Sequence, residues 1–225
     1  NGLIRPQLGR EGTLVWLNVR NMSSAFLWPG FSQDLTLTDS SRDVLKDMRA
    51  EHDITLYGVP EGWNGHGVRS LGERVVEQYQ DYDYDGILIG HSLGALAALS
   101  TVDAMPVRHL VLCSPSALFA EDISSNFDPL VGRRIGEKRV EELASFSAAD
   151  AVSSVNRLGI PTTVLFGERE RELHPQVVAR SGKLAAGIAG ATLVEVAGAA
   201  HFIGEDSYAR ELARVVGNIA AGPMR

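Results

Sequence analysis

The chain has 225 residues, 44% hydrophobic and 22% charged, with a formal net charge of −7. That length suits one domain, residues 1–225, with a full core, and the acidic balance argues against a nucleic-acid backbone as the main partner. The single cysteine, Cys113, can form no internal disulfide, and no apolar run reaches the length of a membrane span. No secretory signal pattern opens the sequence, so a reducing, cytoplasmic location is expected.

Residues 13–18, with Leu14, Val15, Trp16 and Leu17 in a row, read as the first strand. Residues 19–31 read as a loop rich in aromatics: Phe26, Trp28 and Phe31. A short helix over 41–50 would put Val44, Leu45 and Met48 on one face, and 53–57 reads as the next strand. The loop 60–67 carries three glycines around Trp63 and His66. Ser70 and Glu73 fit a capping box, opening a helix that turns Leu71, Val75, Val76 and Tyr79 inward.

Residues 86–98 carry the strongest local signal. Ile87, Leu88 and Ile89 form a buried strand bounded by glycine, and the Leu/Ala run from Leu93 to Leu99 is helix-favouring throughout. Between them Gly90-His91-Ser92-Leu93-Gly94 has the G-x-S-x-G spacing of a nucleophile elbow. A serine at so sharp a turn is forced into strained backbone geometry, with its hydroxyl exposed beyond the strand's carboxyl end. Side chains at positions 90 and 94 would meet neighbouring backbone, hence glycine at both. The amino end of the helix, the Leu93 N–H first, would face negative charge forming near Ser92.

Residues 109–113 make another strand. The alternation breaks over 115–160, where 126–136 reads as irregular and 137–147 as helical, so the segment is expected to be a lid inserted above the sheet. Strand 162–166 resumes the pattern. Pro175 suits the first turn of a helix reaching 188, 191–196 is the last strand, and 208–220 the last helix. Strands alternating with helices predict a mainly parallel sheet of about six strands, covered on both faces. The predicted order is 53–57, 14–18, 87–89, 109–113, 162–166, 191–196, with 53–57 at one edge.

A serine hydroxyl needs a base to take its proton, and the base needs an acid to orient it. Strand 162–166 runs into a turn carrying Glu168, Glu170 and Glu172, and strand 191–196 runs into Ala200-His201-Phe202. In a parallel sheet these strand ends share one edge, so Ser92, one of the glutamates and His201 can converge.

With these residues the chain resembles the α/β-hydrolase superfamily from about Leu14 to its C-terminus. Gly90-His91-Ser92-Leu93-Gly94 looks like its elbow, and Ala200-His201-Phe202 like its histidine loop. Ile160-Pro161, the apolar strand after it and Gly167 with Glu170 are similar to its acid segment, a proline, a strand, then G-x-x-acid. Gly65-His66-Gly67 with Ser70 resembles its G-x-G-x-S loop. The resemblance implies a small serine esterase or thioesterase with Ser92 as nucleophile, His201 as base and Glu170 as acid, where most members carry aspartate. It implies an oxyanion hole from the backbone N–H groups of Leu93 and Arg20, no cofactor, and a small-molecule ester or acyl substrate. Members usually place His-Gly before the second donor; the matching positions after 13–18 hold Asn18-Val19. About a dozen residues precede that strand, too few for the usual opening hairpin.

His91 is expected to pack beside the elbow and His66 to stabilise its loop; His52, His109 and His174 read as structural. No histidine or cysteine cluster has metal-ligand spacing. Arg133, Arg134, Lys138 and Arg139 read as a solvated face, or as a lid patch meeting an anionic substrate tail. Two other activities use the same residues: a binding or receptor protein with vestigial turnover, and carbon–carbon hydrolysis or perhydrolysis at the same serine.

Overall fold

The computed structural model of the protein describes residues 4–8, 14–18, 23–28, 54–58, 67, 72–73, 76, 86–126 and 129–222. The eight strands among them form two sheets. β1 (Ile4–Leu8) and β2 (Leu14–Asn18) pair antiparallel, with Ile4 opposite Asn18 and Leu8 opposite Leu14. β3 (Ser23–Trp28), β4 (Ile54–Gly58), β5 (Ile87–His91), β6 (His109–Cys113), β7 (Thr162–Gly167) and β8 (Thr192–Val196) form a six-stranded sheet in the order β4-β3-β5-β6-β7-β8. Every pair in it is parallel.

Two expectations are corrected here. Leu14–Asn18 is a strand, but it lies in an opening hairpin with β1, against the expectation that too few residues precede it for one. Its predicted place beside β5 is taken by Ser23–Trp28, inside the stretch read as an aromatic loop. A strand covered on both faces needs an apolar run more than an alternation, and Ala25 to Trp28 supplies one; Ala25 and Leu27 are buried. The rest of the order holds, with β4 at an edge and β5 between β3 and β6.

Alternation along the strands feeds two cores. Leu88, Leu110, Leu112 and Val164 point to one face, where they meet α1 (Leu93–Thr101), α5 (Ala148–Leu158) and α7 (Pro175–Gly187). Ile87, Ile89, Val111, Cys113 and Leu165 point to the other, where α8 (Asp206–Ala221) buries Tyr208, Leu212, Val215 and Val216 at helical spacing. No helix among the described residues is long and apolar enough to cross a membrane.

Between β6 and β7 four helices make up most of the described chain. α2 (Ala120–Asn126), α3 (Pro129–Ile135) and α4 (Glu137–Leu143) precede α5. The expectation of irregular chain over 126–136 is therefore wrong: α3 fills most of it, and its Ile135 joins the α1-side core. α5 is capped by Ser147, whose hydroxyl accepts the N–H groups of Ala149 and Asp150, and it ends at Gly159 in the left-handed region. It packs on α1 and α7 as a sheet-covering helix, which leaves α2–α4 as the part of 115–160 added to the repeating pattern. Arg133, Arg134 and Lys138 are exposed there and Arg139 half-buried. The predicted helix over 41–50, the loop residues 60–66 with His66, His52, Trp63 and Ser70 lie outside the described residues, while Gly72, Glu73 and Val76 are helical as expected.

Arg180 of α7 ties this added part down. Its guanidinium makes a two-pronged ion pair with Asp122 of α2 and lies 4.9 Å from the Phe119 ring centroid. Arg180→Ala is expected to cost about 2 kcal/mol, below the usual figure for a deep pair because the Asp122 carboxylate stays in reach of water. A lower urea midpoint at unchanged m-value checks it.

Candidate active site

β5 ends at His91 and α1 begins at Leu93, so Ser92 must turn the chain alone. It does so at φ 54, ψ −120, a strained conformation for any residue with a side chain. The turn is held by the Ser92 N–H donating to the Cys113 carbonyl at 2.9 Å, and by the Ser92 carbonyl accepting from Ala95 at 3.1 Å and Ser116 at 3.2 Å. A Cβ at Gly90 would lie 2.6 Å from the Ala95 Cα and 2.7 Å from the Gly94 carbonyl oxygen, so strand and helix approach too closely there for any side chain.

The loops after β7 and β8 bring acid and base to the same edge. They are knitted together: the Arg169 N–H donates to the Ala199 carbonyl at 2.9 Å, and the Gly198 N–H to a Glu168 carboxylate oxygen at 2.7 Å. Gly167 marks the tightest point, where a Cβ would sit 2.4 Å from the Ala200 carbonyl oxygen. Glu170 opens α6 (Glu170–Leu173), and its Oε1 lies 2.6 Å from His201 Nδ1; His201 Nε2 lies 2.9 Å from Ser92 Oγ. The structure thus brings Ser92, His201 and Glu170 together, and of the three alternating glutamates only Glu170 is buried, Glu168 and Glu172 being exposed.

Donor and acceptor counting assigns the protons. A carboxylate only accepts, so Nδ1 carries the imidazole hydrogen and Nε2 is free to accept the Ser92 hydroxyl proton. Ser116, whose Oγ lies 3.1 Å from Ser92 Oγ, must then be the donor in that contact. Glu170 is fully buried, and its cost of burial is offset by three converging donors: His201 Nδ1–H on Oε1, and on Oε2 the Ser114 hydroxyl at 2.6 Å and the Gly167 N–H at 2.7 Å.

Two further histidines border His201. His91 packs beside the elbow as expected, donating from Nε2 to the His201 carbonyl at 2.8 Å. Burial, and next the His201 charge, push it down to about 3, so it stays neutral. His174 faces His201 edge-on with ring centroids 5.3 Å apart; partial burial and then His201 lower its pKa. His109 is structural, its Nε2 lying 3.0 Å from Thr163 Oγ1. Ser114, Ser116 and Tyr208 escape sequence reasoning, and His174, expected from the sequence to be structural, lies against His201. Each reaches the site through tertiary contacts, without a local motif.

Of the two expected oxyanion donors, Leu93 is the first residue of α1, where the helix leaves N–H groups without intrahelical acceptors. Arg20 lies outside the described residues. It follows β2, which is not in the sheet with β5. The strand that does flank β5 is β3, followed by Pro29-Gly30-Phe31.

No family model matches this sequence, and no curated protein does. Solved structures do. The chain is similar to Est1E from Butyrivibrio proteoclasticus, with TM-score 0.68 and 18% identity over 90% of this chain and 88% of that one. It is similar to an esterase domain from Rhodothermus marinus, with TM-score 0.66 and 14% identity over 97% of each chain. It also matches a dienelactone hydrolase from Anabaena variabilis, with TM-score 0.58 and 14% identity over 88% and 84%. These likenesses show that the chain has the α/β-hydrolase fold.

Proposed function

We propose that this protein is a serine hydrolase that cleaves a small-molecule carboxylic ester or thioester through an acyl-enzyme on Ser92. The observation that carries the reading is the unbroken contact series Ser92 Oγ to His201 Nε2 at 2.9 Å and His201 Nδ1 to Glu170 Oε1 at 2.6 Å. The likeness to an esterase domain and to a dienelactone hydrolase supports it.

In this reading Ser92 Oγ attacks the carbonyl carbon while its proton passes to His201 Nε2. Glu170 holds the ring in that orientation and stabilises the imidazolium. The tetrahedral oxyanion forms in front of α1 and takes the Leu93 N–H, beside a second backbone N–H. Collapse expels the alcohol or thiol, which takes the proton from Nε2. Water then repeats the sequence on the acyl-enzyme and restores the serine. No step calls for a cofactor. The chain is one domain in this reading, with α2–α4 as its lid, and buried Cys113 suits a reducing, cytoplasmic setting.

The test is labelling with a fluorophosphonate, beside a panel of p-nitrophenyl esters and acyl-thioesters of graded length. Rapid stoichiometric labelling, abolished in Ser92→Ala, is the expected result. A wild-type protein that stays unlabelled and hydrolyses nothing is a binding protein and overturns the reading. A labelled protein that cleaves carbon–carbon bonds instead overturns the ester assignment alone.

A further inference from the structure

Two non-glycine residues among the described ones have positive φ: Ser92 at 54° and Ser114 at 44°. They are structural counterparts. His91 and Cys113 are register partners at the ends of β5 and β6, and each serine is the next residue. Strain of this kind persists where the surroundings impose it, and it gathers at working sites. Ser92 has such work in the reading above; Ser114 has none there. It is fully buried, so its hydroxyl is not there for solvent.

The Ser114 hydroxyl meets the Glu170 carboxylate at 2.6 Å and the Tyr208 hydroxyl at 2.9 Å. Its one proton goes to the carboxylate, which cannot donate. That leaves Ser114 Oγ as an acceptor for the Tyr208 O–H, nearer at 2.9 Å than the Leu165 carbonyl at 3.3 Å, with the Cys113 thiol also in contact with the phenol. Burial holds the Tyr208 phenol well above its ordinary value, so it keeps its proton. With the Tyr208 proton on its nearer oxygen partner, hydrogen bonds converge on Glu170 from both sides: Tyr208 to Ser114 to Oε2, and Ser92 to His201 to Oε1. With Gly167 also donating to Oε2, the carboxylate plane is fixed and Oε1 can face only His201.

We propose that Ser114 and Tyr208 are positioning residues, a hydrogen-bond chain on the far side of Glu170 that fixes the carboxylate orienting His201. The proposal rests on the hydrolase reading for its kinetic consequence, and the experiment separates the two. Ser114→Gly removes the hydroxyl and suits the positive φ, so the fold is retained. Tyr208→Phe is isosteric and carries the same test should glycine loosen the loop. Ser124→Ala, on the exposed face of α2, is the control.

Three readouts are measured: kcat and KM on one p-nitrophenyl ester, the rate of fluorophosphonate labelling, and the far-downfield proton resonance of His201 Nδ1–H. In Ser114→Gly, kcat and labelling rate are expected to fall about tenfold to a hundredfold, as for loss of a charge-assisted hydrogen bond, with KM unchanged. The downfield resonance should weaken or broaden, and Ser124→Ala should match wild type in all three. Tyr208→Phe should lose about tenfold or less. The double variant should lose no more than Ser114→Gly alone, because the chain is already cut. The proposal is overturned if Ser114→Gly keeps the resonance and kcat, if its loss lies in KM alone, or if the two losses multiply. A resonance that responds as described in a protein that no fluorophosphonate labels keeps the chain and sinks the hydrolase reading. The converse pattern sinks the chain and leaves the hydrolase.

Discussion

Glu170→Gln is expected to lower kcat by about 10⁴-fold while the fold and KM are kept. The surroundings of Glu170 decide how the new amide must lie. Ser114 O–H and Gly167 N–H both donate to Oε2, so the amide oxygen is drawn to that position. The NH₂ group is then left facing His201 Nδ1, a donor against a donor. The imidazole can relieve the clash only by moving its hydrogen to Nε2, where it can no longer accept the Ser92 proton. The variant is thus locked in the wrong tautomer as well as weakened in charge. Glu168→Gln and Glu172→Gln are expected to stay within about threefold of wild type, as exposed changes usually do. Glu168 accepts the Gly198 N–H at 2.7 Å, and a glutamine oxygen accepts it equally well. The check is kcat for the three single variants on one ester. A crippled Glu168→Gln or Glu172→Gln, or a Glu170→Gln within tenfold of wild type, would remove Glu170 from the acid's role.

Much of this arrangement was legible because its parts are local. The elbow reads from five consecutive residues, since the strain at Ser92 and the close approach at Gly90 both arise within one turn. His201 and the turn with three glutamates read from their distance past a strand, which in a parallel sheet fixes which edge a residue reaches; Glu170 is singled out among the three only by the resemblance to the G-x-x-acid segment. The opening strands did not read correctly, for a physical reason. Leu14 to Leu17 is the more apolar run, yet it belongs to a two-stranded hairpin; Ser23–Trp28, opening on two serines, is the strand inside the sheet. Burial on both faces is a property of neighbours, and the neighbours of β3 are β4 and β5, distant in sequence. That single exchange takes the strand before Arg20 out of the sheet that carries Ser92. Ser114 and Tyr208 were beyond reach on similar grounds. Ser114 meets Glu170 across 56 positions and Tyr208 across 94, and nothing beside either residue announces the contact.

Gly167→Ala should be costly to both stability and activity, whereas Gly182→Ala should help. At Gly167 the added Cβ would lie 2.4 Å from the Ala200 carbonyl oxygen, 2.5 Å from that of Ala199 and 2.8 Å from the Ala199 carbonyl carbon. All three are backbone atoms, so no side chain can swing aside. The strand end and the histidine loop must separate, and overpacking of that kind costs about 3 kcal/mol. The same separation acts on the chemistry. Gly167 N–H steadies Glu170, and the loop it would push carries His201 just beyond Ala200, so acid and base move apart together. A displacement near 1 Å is enough to cost about 10²-fold in kcat. Gly182 lies inside α7 with nothing within 4 Å of the position a Cβ would take. Alanine there gains helix propensity without a clash and should stabilise by roughly 0.5–1 kcal/mol, with kcat unchanged. Urea midpoints and kcat for the two variants, measured side by side, check the pair. A Gly167→Ala protein with wild-type midpoint and wild-type kcat would mean that the two loops do not meet as closely as the 2.4 Å approach requires.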